Sequence, residues 1–293
     1  MNIFITGGGG YVGSVLTPHL INLGHNVTVY DLMIYKTYFE NSPNLKIIKG
    51  DLRDIEKVNK ELKNQDIVIH LACISNDPSF ELNPSLGKSI NLDSFRPLVE
   101  KSISNGVKRF IYASSSSVYG IKEEKNVHEE MLLEPLTDYS KFKALCEEIL
   151  LEYNFDNFDP VIVRPATVCG YSPRQRLDVV VNIFTNFAYN TRKIQIFGGD
   201  QLRPNIHIND MCEVYSVLIN ADREKIKGKI FNAGFENKKV VDLARIVKNV
   251  IGDDVELIIK ETNDQRSYHI SSQKIYNELG FKNKFTITDA VED

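Results

Sequence analysis

Short apolar runs alternate with longer amphipathic stretches through the first 170 residues of the chain. The apolar runs are five or six residues long and rich in Ile, Val and Phe, which is typical of strands buried on both faces of a parallel sheet. They predict strands near residues 2–6, 26–30, 45–49, 66–71, 108–113 and 160–164. The stretches between them predict helices near residues 11–23, 54–62, 86–105 and 138–153. The alternation predicts an α/β fold, a right-handed, doubly wound parallel sheet.

The pattern changes after residue 170. A helix is predicted near 177–190, and IQIFGGDQLRPNIHIND then predicts a short strand, a turn and a second strand before a helix at 210–221. Further along, KIFNAG predicts a strand, VVDLARIVKNVIG a helix, VELIIK a strand and SSQKIYNELGF a last short helix. The second half is therefore expected to contain a smaller α/β unit.

A glycine-rich turn joins the first predicted strand to the first predicted helix in MNIFITGGGGYVGS. Gly7, Gly10 and Gly13 are spaced through this turn. Glycine permits a tight turn and the close approach of the backbone to a ligand, while the N–H groups and dipole at the start of a helix attract a pyrophosphate. A dinucleotide is the natural ligand of such a turn.

A carboxylate follows each of the next two predicted strands. Asp31 ends NVTVYD, 18 residues beyond Gly13, where it could accept a hydrogen bond from a ribose hydroxyl and would repel a 2'-phosphate. Asp51 follows the strand in LKIIKGDLRD, where the adenine amino group could donate to it. The carboxylate of Asp31 therefore favours NAD over NADP. Each acid alone also fits an ordinary turn, and it is the joint occurrence of the signals in this order that favours a cofactor site.

Serine, tyrosine and lysine residues supply candidate chemistry. The strand in VKRFIYASSSSVYG ends at a serine cluster, and ligands of open α/β sheets bind at the carboxyl ends of strands. Tyr139 and Lys143 lie four residues apart in DYSKFK, so one helix face carries both. An ammonium beneath the phenol would lower its pKa from ~10, and a phenolate is a general base. The spacing alone also fits an exposed helix turn, so this interpretation depends on the other signals.

Composition excludes several other classes of function. The chain has 293 residues, 42% of them hydrophobic, a net charge of −4 and a pI near 5.9. It can bury an α/β domain and a smaller one, but it offers no basic patch to nucleic acid or anionic lipid. The cysteines at 73, 146, 169 and 212 lack metal-site spacing, so no metal is expected. No apolar stretch approaches the ~20 residues that cross a bilayer, and a strand begins at the first residues, so we expect a cytoplasmic protein without a signal peptide.

Seven segments together resemble the extended short-chain dehydrogenase/reductases, in particular the NAD-dependent nucleotide-sugar epimerase and dehydratase group. The segments are TGGGGYVG, Asp31, GDLRD, HLAC, SSSSVYG, YSKFK and RPATVCG, and the likeness runs from residue 1 to about residue 285. It implies an enzyme with NAD as cofactor and a nucleotide-diphosphate sugar as substrate. It also implies a Rossmann domain at 1–170 and a mainly substrate-binding domain at 171–293, with segments near 205–234 returning to the Rossmann sheet.

The resemblance also assigns roles to individual positions. Ser115, Tyr139 and Lys143 match the catalytic serine, the base and its activating lysine. The implied cofactor-binding positions are Gly7, Gly10, Tyr11, Val12, Gly13, Asp31, Asp51, Leu52, Leu71, Ala72, Ser75, Asn91, Ser114, Tyr139, Lys143 and Pro165. The implied substrate-binding positions are Ser115, Thr167, Arg176, Asn182, Arg203 and Arg266. Arg203 and Arg266 match the arginines that hold the diphosphate, since guanidinium groups bind phosphate bidentately.

One departure from the family pattern bears on the reaction. Dehydratases and decarboxylases of the family carry an acid just after the catalytic hydroxyl, whereas this chain has Ser116 and Ser117 there. Elimination of water needs a general acid, so we expect chemistry at one carbinol carbon instead. The resemblance favours an epimerase acting through a 4-keto intermediate, in the biosynthesis of sugars for surface polysaccharides. A dehydrogenase or ketoreductase, for instance of a GDP-heptose, and a non-catalytic NAD-binding regulator remain alternatives.

Two predicted helices carry more apolar residues than one buried face needs. They are the helices at 86–105 and 138–153, with FRPLVEKSI and FKALCEEILLEY as their apolar segments. In the family this pair forms a four-helix bundle between two subunits, so the resemblance implies a homodimer. The smaller domain could instead cover the surplus.

Overall fold

Seven parallel strands form the central sheet. The structure, a computed structural model, describes residues 1–36, 38–124, 126–153, 156–262, 267 and 269–293. The strands of all the sheets in the described residues are β1 (Asn2–Thr6), β2 (Asn26–Asp31), β3 (Leu45–Lys49), β4 (Ile67–His70), β5 (Arg109–Ala113), β6 (Asp159–Pro165), β7 (Thr167–Cys169), β8 (Lys193–Phe197), β9 (Leu202–His207), β10 (Lys229–Ala233), β11 (Glu236–Lys239) and β12 (Glu256–Lys260). Their order in the central sheet is β10-β6-β5-β4-β1-β2-β3, with every neighbouring pair parallel. The chain winds outward from β1 in both directions, which confirms the predicted Rossmann fold.

Helices cover both faces of this sheet. The helices of the described residues are α1 (Gly13–Asn22), α2 (Ile55–Glu61), α3 (Asp77–Leu82), α4 (Pro84–Lys88), α5 (Phe95–Ser104), α6 (Asp138–Leu151), α7 (Val180–Thr191), α8 (Ile208–Asn220), α9 (Arg223–Ile226), α10 (Val240–Ile251), α11 (Gln273–Leu279) and α12 (Ile287–Glu292). Apolar residues of α1 and α8 pack on one face, and those of α2, α5 and α6 pack on the other. The strands therefore read as nearly continuous apolar runs, because both of their faces are buried. No helix in the described part of the chain combines the length and apolar character needed to cross a membrane.

A smaller core lies in the second half of the chain. It is formed mainly by α7, α10 and α12 with the strand β8, and two small sheets, β11-β9-β7 and β12-β8, belong to this half. Other elements of this half contact the Rossmann sheet instead, since α8 packs beside α1, β10 pairs with β6, and α9 and α11 contact β6 and β10 respectively. Residue 170 as a domain boundary stays a prediction.

The single helix predicted for 86–105 is wrong. The structure has a short helix, α4, a π-helical turn at Ser89–Asp93 and then α5. Pro97 has no N–H to donate to the carbonyl four residues earlier, so the regular helical ladder is interrupted there. The side chain of Asn91 also bonds the backbone N–H and C=O of Ile74, at 2.8 and 3.0 Å, which fixes the π-turn against the loop after β4. Sequence periodicity does not report that long-range contact.

A buried ion pair joins β6 to α6. Arg164 donates to the Glu147 carboxylate from Nε and Nη2, at 3.0 and 2.6 Å, and both side chains are 3% exposed. Glu147 also accepts from the hydroxyl of Ser114, at the end of β5. From its other side, Arg164 donates to the Tyr119 hydroxyl, which donates in turn to Asn232 in β10. One connected network therefore fixes the carboxyl ends of three neighbouring strands.

We expect Glu147→Gln to destabilise the protein by about 3 kcal/mol, because the substitution leaves the Arg164 charge buried and uncompensated. The free energy of unfolding should be measured by urea denaturation. Glu152→Gln is the matched control at the C-cap of the same helix, since its pair with Arg96 is about half exposed and should contribute little to stability. Equal effects of the two substitutions would contradict this account of the network.

Candidate active site at the carboxyl edge of the sheet

The glycine turn after β1 is closed by contacts that leave no room for side chains. Gly7 has φ +72°, and a Cβ there would lie 2.6 Å from the backbone nitrogen of Ala72. A Cβ on Gly13 would lie 2.5 Å from the Cα of Gly8. On Gly10 it would approach only the Gly7 carbonyl oxygen, so the turn is open on that side. Backbone N–H groups at the start of α1 and a surface without side chains fit a dinucleotide pyrophosphate.

Asp31 lies at the rim of this turn, where a ribose is expected. Its carboxylate accepts hydrogen bonds from the backbone N–H groups of Gly9 and Met33, at 3.1 and 2.8 Å. The Asp51 carboxylate instead binds Arg53, whose Nε lies 2.9 Å from Oδ1 and 3.1 Å from Oδ2. These bonds from Arg53 hold the pKa of Asp51 below its usual range. A contact between Asp51 and adenine stays a prediction.

The loop after β4 forms the next part of the expected cofactor cleft. Leu71 donates its N–H to the Thr6 carbonyl at 3.0 Å, and the neighbouring Ala72 backbone packs against Gly7. Asn91 holds the same loop through Ile74. The loops after β1 and β4 are therefore fixed to each other, at the crevice where doubly wound sheets bind ligands.

Other implied cofactor positions surround these loops. Leu52 is buried after β3, Val12 precedes α1, and Pro165 ends β6. The hydroxyl of Ser114 is bonded to Glu147, and the carbonyl of Ser75 accepts from Arg176. All of them lie at or near the carboxyl edge of the sheet, and their contacts with a cofactor stay predictions.

Ser115, Tyr139 and Lys143 come together at the end of β5. Ser115 caps the 3₁₀ turn Ser116–Tyr119, and its Oγ accepts from the Ser117 N–H and hydroxyl, at 3.1 and 2.8 Å. Thr137 and Ser140 form a capping box that begins α6, which places Tyr139 in its first turn. Lys143 is buried one turn later, with its Nζ 5.8 Å from the centroid of the Tyr139 ring and bonded to the Ala113 carbonyl at 2.5 Å.

The expected lowering of the Tyr139 pKa is wrong for the protein alone. Burial of the phenol raises its pKa, and this effect outweighs the nearby Lys143 ammonium and the hydrogen bond with Ser115, which both act to lower it. The pKa of Lys143 is also raised: burial acts to lower it, but the Cys73 and Tyr139 groups outweigh that effect. Lys143 therefore stays an ammonium and favours the phenolate, although it does not by itself produce it.

Residues 170–178, which we call the crossing segment, lie over the glycine turn and the loop after β4. Tyr11 donates its hydroxyl to the Gly170 carbonyl at 2.8 Å, and Ser172 donates to the Tyr11 carbonyl at 2.7 Å. Arg176 donates to the Ser75 carbonyl at 3.0 Å. Asp178, held by Arg176 at 2.8 Å, accepts from the amide of Asn76 at 2.8 Å. The segment is thus tied to both sides of the expected cofactor cleft.

The implied substrate residues are distributed around the cleft. Arg176 lies close enough to Tyr139 for its positive charge to favour the phenolate. The Asn182 amide is buried and bonded to Gly170, Arg176 and Tyr11, and Thr167 is half-buried at the start of β7. Arg203, in β9, donates to the Leu202 carbonyl at 3.0 Å and has further contacts. Arg266 lies outside the described residues, so the expected convergence of two arginines on a diphosphate stays a prediction.

Two residues that shape the site were missed by the sequence interpretation. His70, at the end of β4, is buried against Tyr112, and its Nδ1 lies 2.7 Å from the Thr6 hydroxyl. Burial, with a smaller effect of Lys143, lowers its pKa to about 3, so it is neutral. Glu147 follows Lys143 by four residues, and this helical spacing could have placed it on the same face. In the described ranges, no group of three His, Cys, Asp or Glu side chains could hold a metal ion.

Known proteins share this sequence pattern and this architecture. The sequence profile of the NAD dependent epimerase/dehydratase family matches residues 3–234. The low-salt glycan biosynthesis protein Agl12 of Haloferax volcanii is 25% identical over 309 residues, covering 100% of this chain and 96% of its own. UDP-glucose 4-epimerase from Thermotoga maritima, crystallised with UDP-glucose, has a TM-score of 0.90 and 26% identity, covering 100% of this chain and 98% of that one. The dTDP-glucose 4,6-dehydratase DesIV from Streptomyces venezuelae, crystallised with NAD and TYD, has the same fold, with a TM-score of 0.89, 22% identity and coverage of 100% and 96%.

We expect Lys143→Met to raise the pKa of the Tyr139 phenol further, because the positive charge that favours the phenolate is removed. The near-ultraviolet absorbance of tyrosinate should be titrated against pH in the cofactor-free protein. Each titration should be repeated with Tyr139→Phe in the same background, so that the difference isolates one phenol among 13 tyrosines. An unchanged or lower pKa in Lys143→Met would contradict the electrostatic role of Lys143.

Proposed function

This chain belongs to the NAD-dependent epimerase/dehydratase family, and from that membership we propose that it is an NAD-dependent nucleotide-sugar epimerase working through a 4-keto intermediate. The observation that carries the proposal is the joint placement of Ser115, Tyr139 and Lys143 at the carboxyl end of β5. They lie beside a glycine turn that fits the pyrophosphate of NAD, the cofactor of this family.

Ser115, Tyr139 and Lys143 have separate roles in the reaction at one carbinol carbon. Tyr139, as the phenolate, takes the proton of the sugar hydroxyl, and Ser115 holds the oxygen as the carbonyl forms. When bound, NAD supplies the reversible acceptance of a hydride, and its positive charge in the oxidised form also favours the phenolate. Lys143 stabilises the phenolate before it takes the proton, and again after Tyr139, as the phenol, has returned the proton to the oxygen of the reduced product. If the keto sugar turns between the two transfers, the configuration at that carbon is inverted.

The residues after Ser115 favour this chemistry over elimination. Ser116 is buried, and the hydroxyl of Ser117 is engaged with Ser115. Elimination of water requires a general acid near the leaving hydroxyl, and serine is too weak an acid for that role at neutral pH. Proton and hydride exchange at one carbon requires only Ser115, Tyr139 and Lys143 together with bound NAD.

The proposed substrate is a nucleotide-diphosphate sugar destined for a surface polysaccharide or glycan. The name of the Haloferax volcanii relative places that protein in glycan biosynthesis, and the Thermotoga maritima enzyme was crystallised with UDP-glucose. A dehydrogenase or ketoreductase, for instance of a GDP-heptose, would use the same three residues. A non-catalytic NAD-binding role is disfavoured, because serine, tyrosine and lysine are all kept together at the sheet edge.

The proposal is tested by mixing the NAD-loaded protein in turn with UDP-, GDP-, CDP- and dTDP-sugars. The absorbance band of NADH and the NMR spectrum of the sugar should be followed together. An interconverted sugar without a lasting NADH band establishes the epimerase. A stable NADH band with one class of sugar would replace it with a dehydrogenase.

We expect Tyr139→Phe to lower the rate of sugar interconversion by about 10²–10⁴-fold, because general acid–base catalysis contributes about that factor. The control is Tyr189→Phe, since Tyr189 is a largely exposed tyrosine on α7. The rate should be measured by NMR with the sugar identified above. Turnover of the Tyr139→Phe variant at the rate of the control would show that Tyr139 is not the base.

We propose that the protein is a homodimer whose contact surface includes α6 and the adjacent α3. The apolar residues Phe95, Leu98 and Val99 of α5 are buried within the chain, so the apolar surplus expected on that helix is not exposed. The side chain of Leu145, on α6, is 41% exposed, and Leu82, on the adjacent α3, is 87% exposed. Such exposed apolar side chains on neighbouring helices favour a partner surface.

We expect sizing at micromolar concentration to give about twice the chain mass of 33.4 kDa, and Leu145→Glu to give the single-chain mass. Ile259→Lys is the control, because it changes an exposed apolar residue on β12, in one of the small sheets. A wild-type protein that elutes as a 33.4 kDa species would contradict the homodimer.

A further inference from the structure

The crossing segment, residues 170–178, contacts three loops at the carboxyl edge of the sheet. These loops follow β4, β1 and β2, which are neighbours in the sheet. Ser172 and Gly170 bond Tyr11 in the glycine turn after β1, and Arg176 bonds Ser75 after β4. The third contact is with the loop after β2, where the guanidinium carbon of Arg174 lies 3.9 Å from the centroid of the Tyr35 ring. The segment therefore spans the crevice in which a dinucleotide binds to a doubly wound sheet.

The contact between Arg174 and Tyr35 is close but leaves Arg174 incompletely bonded. A guanidinium at 3.9 Å over an aromatic ring is well inside the range of a cation–π interaction. Nη1 of Arg174 donates to the Gln175 carbonyl at 3.0 Å, whereas its Nε is buried and has no hydrogen-bond partner among the residues that the structure describes. A buried, charged donor without an acceptor is unfavourable, so an acceptor is expected when the site is filled.

We propose that Arg174 and Tyr35 form a clasp that closes over bound NAD, with Arg174 Nε donating to its pyrophosphate. The clasp rests on the proposed function only in taking NAD as the ligand. Its effect is on the residence time of the cofactor: NAD leaves only when the contact between the crossing segment and the loop after β2 opens.

The position of the clasp supports the pyrophosphate as the acceptor. Tyr35 follows Asp31 by four residues, and Asp31 is bonded to Gly9 of the glycine turn. Arg174 follows Ser172 by two residues, and Ser172 is bonded to Tyr11 of the same turn. Both halves of the clasp are thus anchored on the turn that receives the pyrophosphate. The pyrophosphate is also the anionic part of the dinucleotide, and it pairs favourably with a guanidinium.

A clasp of this kind suits a reaction in which the same cofactor is first reduced and then reoxidised. An epimerase must keep its cofactor while the keto sugar turns, whereas a dehydrogenase must exchange it at every turnover. The side chains of the clasp take no part in the proton transfers assigned to Ser115 and Tyr139, so they are binding residues and not catalytic ones.

The test measures the dissociation of cofactor in the absence of sugar. The full-length protein is loaded with NADH and chased with excess NAD, and the loss of bound-NADH fluorescence gives the dissociation rate. We expect Arg174→Ala and Tyr35→Leu each to raise this rate about tenfold, which corresponds to about 1.4 kcal/mol. Tyr35→Phe should keep the wild-type rate, because the ring is retained. Arg245→Ala is the matched control, since Arg245 is an exposed arginine paired with Asp242 on α10.

The dissociation rates of the two variants decide whether arginine and ring act together. Wild-type dissociation rates in both Arg174→Ala and Tyr35→Leu overturn the clasp. A fast rate in Arg174→Ala with a wild-type rate in Tyr35→Leu also overturns it, because the arginine would then act without the ring. Lower sensitivity of the dissociation rate to salt in Arg174→Ala than in wild type supports a contact with the pyrophosphate. Since no sugar is present, the result stands even if the protein fails to interconvert any nucleotide sugar.

Discussion

The buried pair of Arg164 and Glu147 is the interaction on which the candidate site depends. Two opposite charges in the interior are tolerated because each is also hydrogen-bonded, to the hydroxyls of Tyr119 and Ser114 respectively. Tyr139, Lys143 and Glu147 follow one another at four-residue intervals along α6. The inner end of this row is fixed to β6 and β5 by the ion pair, and the outer end carries the phenol. The position of the candidate base relative to Ser115 therefore depends on a pair of charges about two helical turns away from Tyr139.

The fold could be predicted from sequence to the extent that its signals are local. Buried parallel strands produce apolar runs, so the first six strands lie within a residue or two of their expected bounds. The glycine turn is equally local, because close approach of the backbone of Ala72 leaves no room for a side chain at Gly7. The π-turn at Ser89–Asp93 could not be predicted, because it depends on a contact between Asn91 and a loop 17 residues earlier. Strand β11 and helices α3 and α12 were also missed, since each is only four to six residues long.

The site shows the same division between local and distant information. The four-residue spacing of Tyr139 and Lys143 correctly indicated that one helix face carries both. The direction of the Tyr139 pKa was wrong, because burial is a property of the assembled fold and it outweighs the neighbouring charge. The contact between Tyr35 and Arg174 joins residues far apart in the chain, and neither residue type signals the other in the sequence. Pairs of side chains on one helix can therefore be predicted from the sequence, whereas contacts across the cleft cannot.

The position of β10 in the central sheet has a consequence for synthesis of the protein. The strand comes from residues 229–233, yet it pairs with β6, which ends at residue 165. While the chain emerges from the ribosome, the first six strands are complete long before their outer neighbour exists. During that interval the apolar strand VIVRP offers unpaired backbone groups to any other nascent chain. The first 170 residues therefore cannot complete the seven-stranded sheet by themselves, and the β6 edge stays unpaired until residues 229–233 have been synthesised.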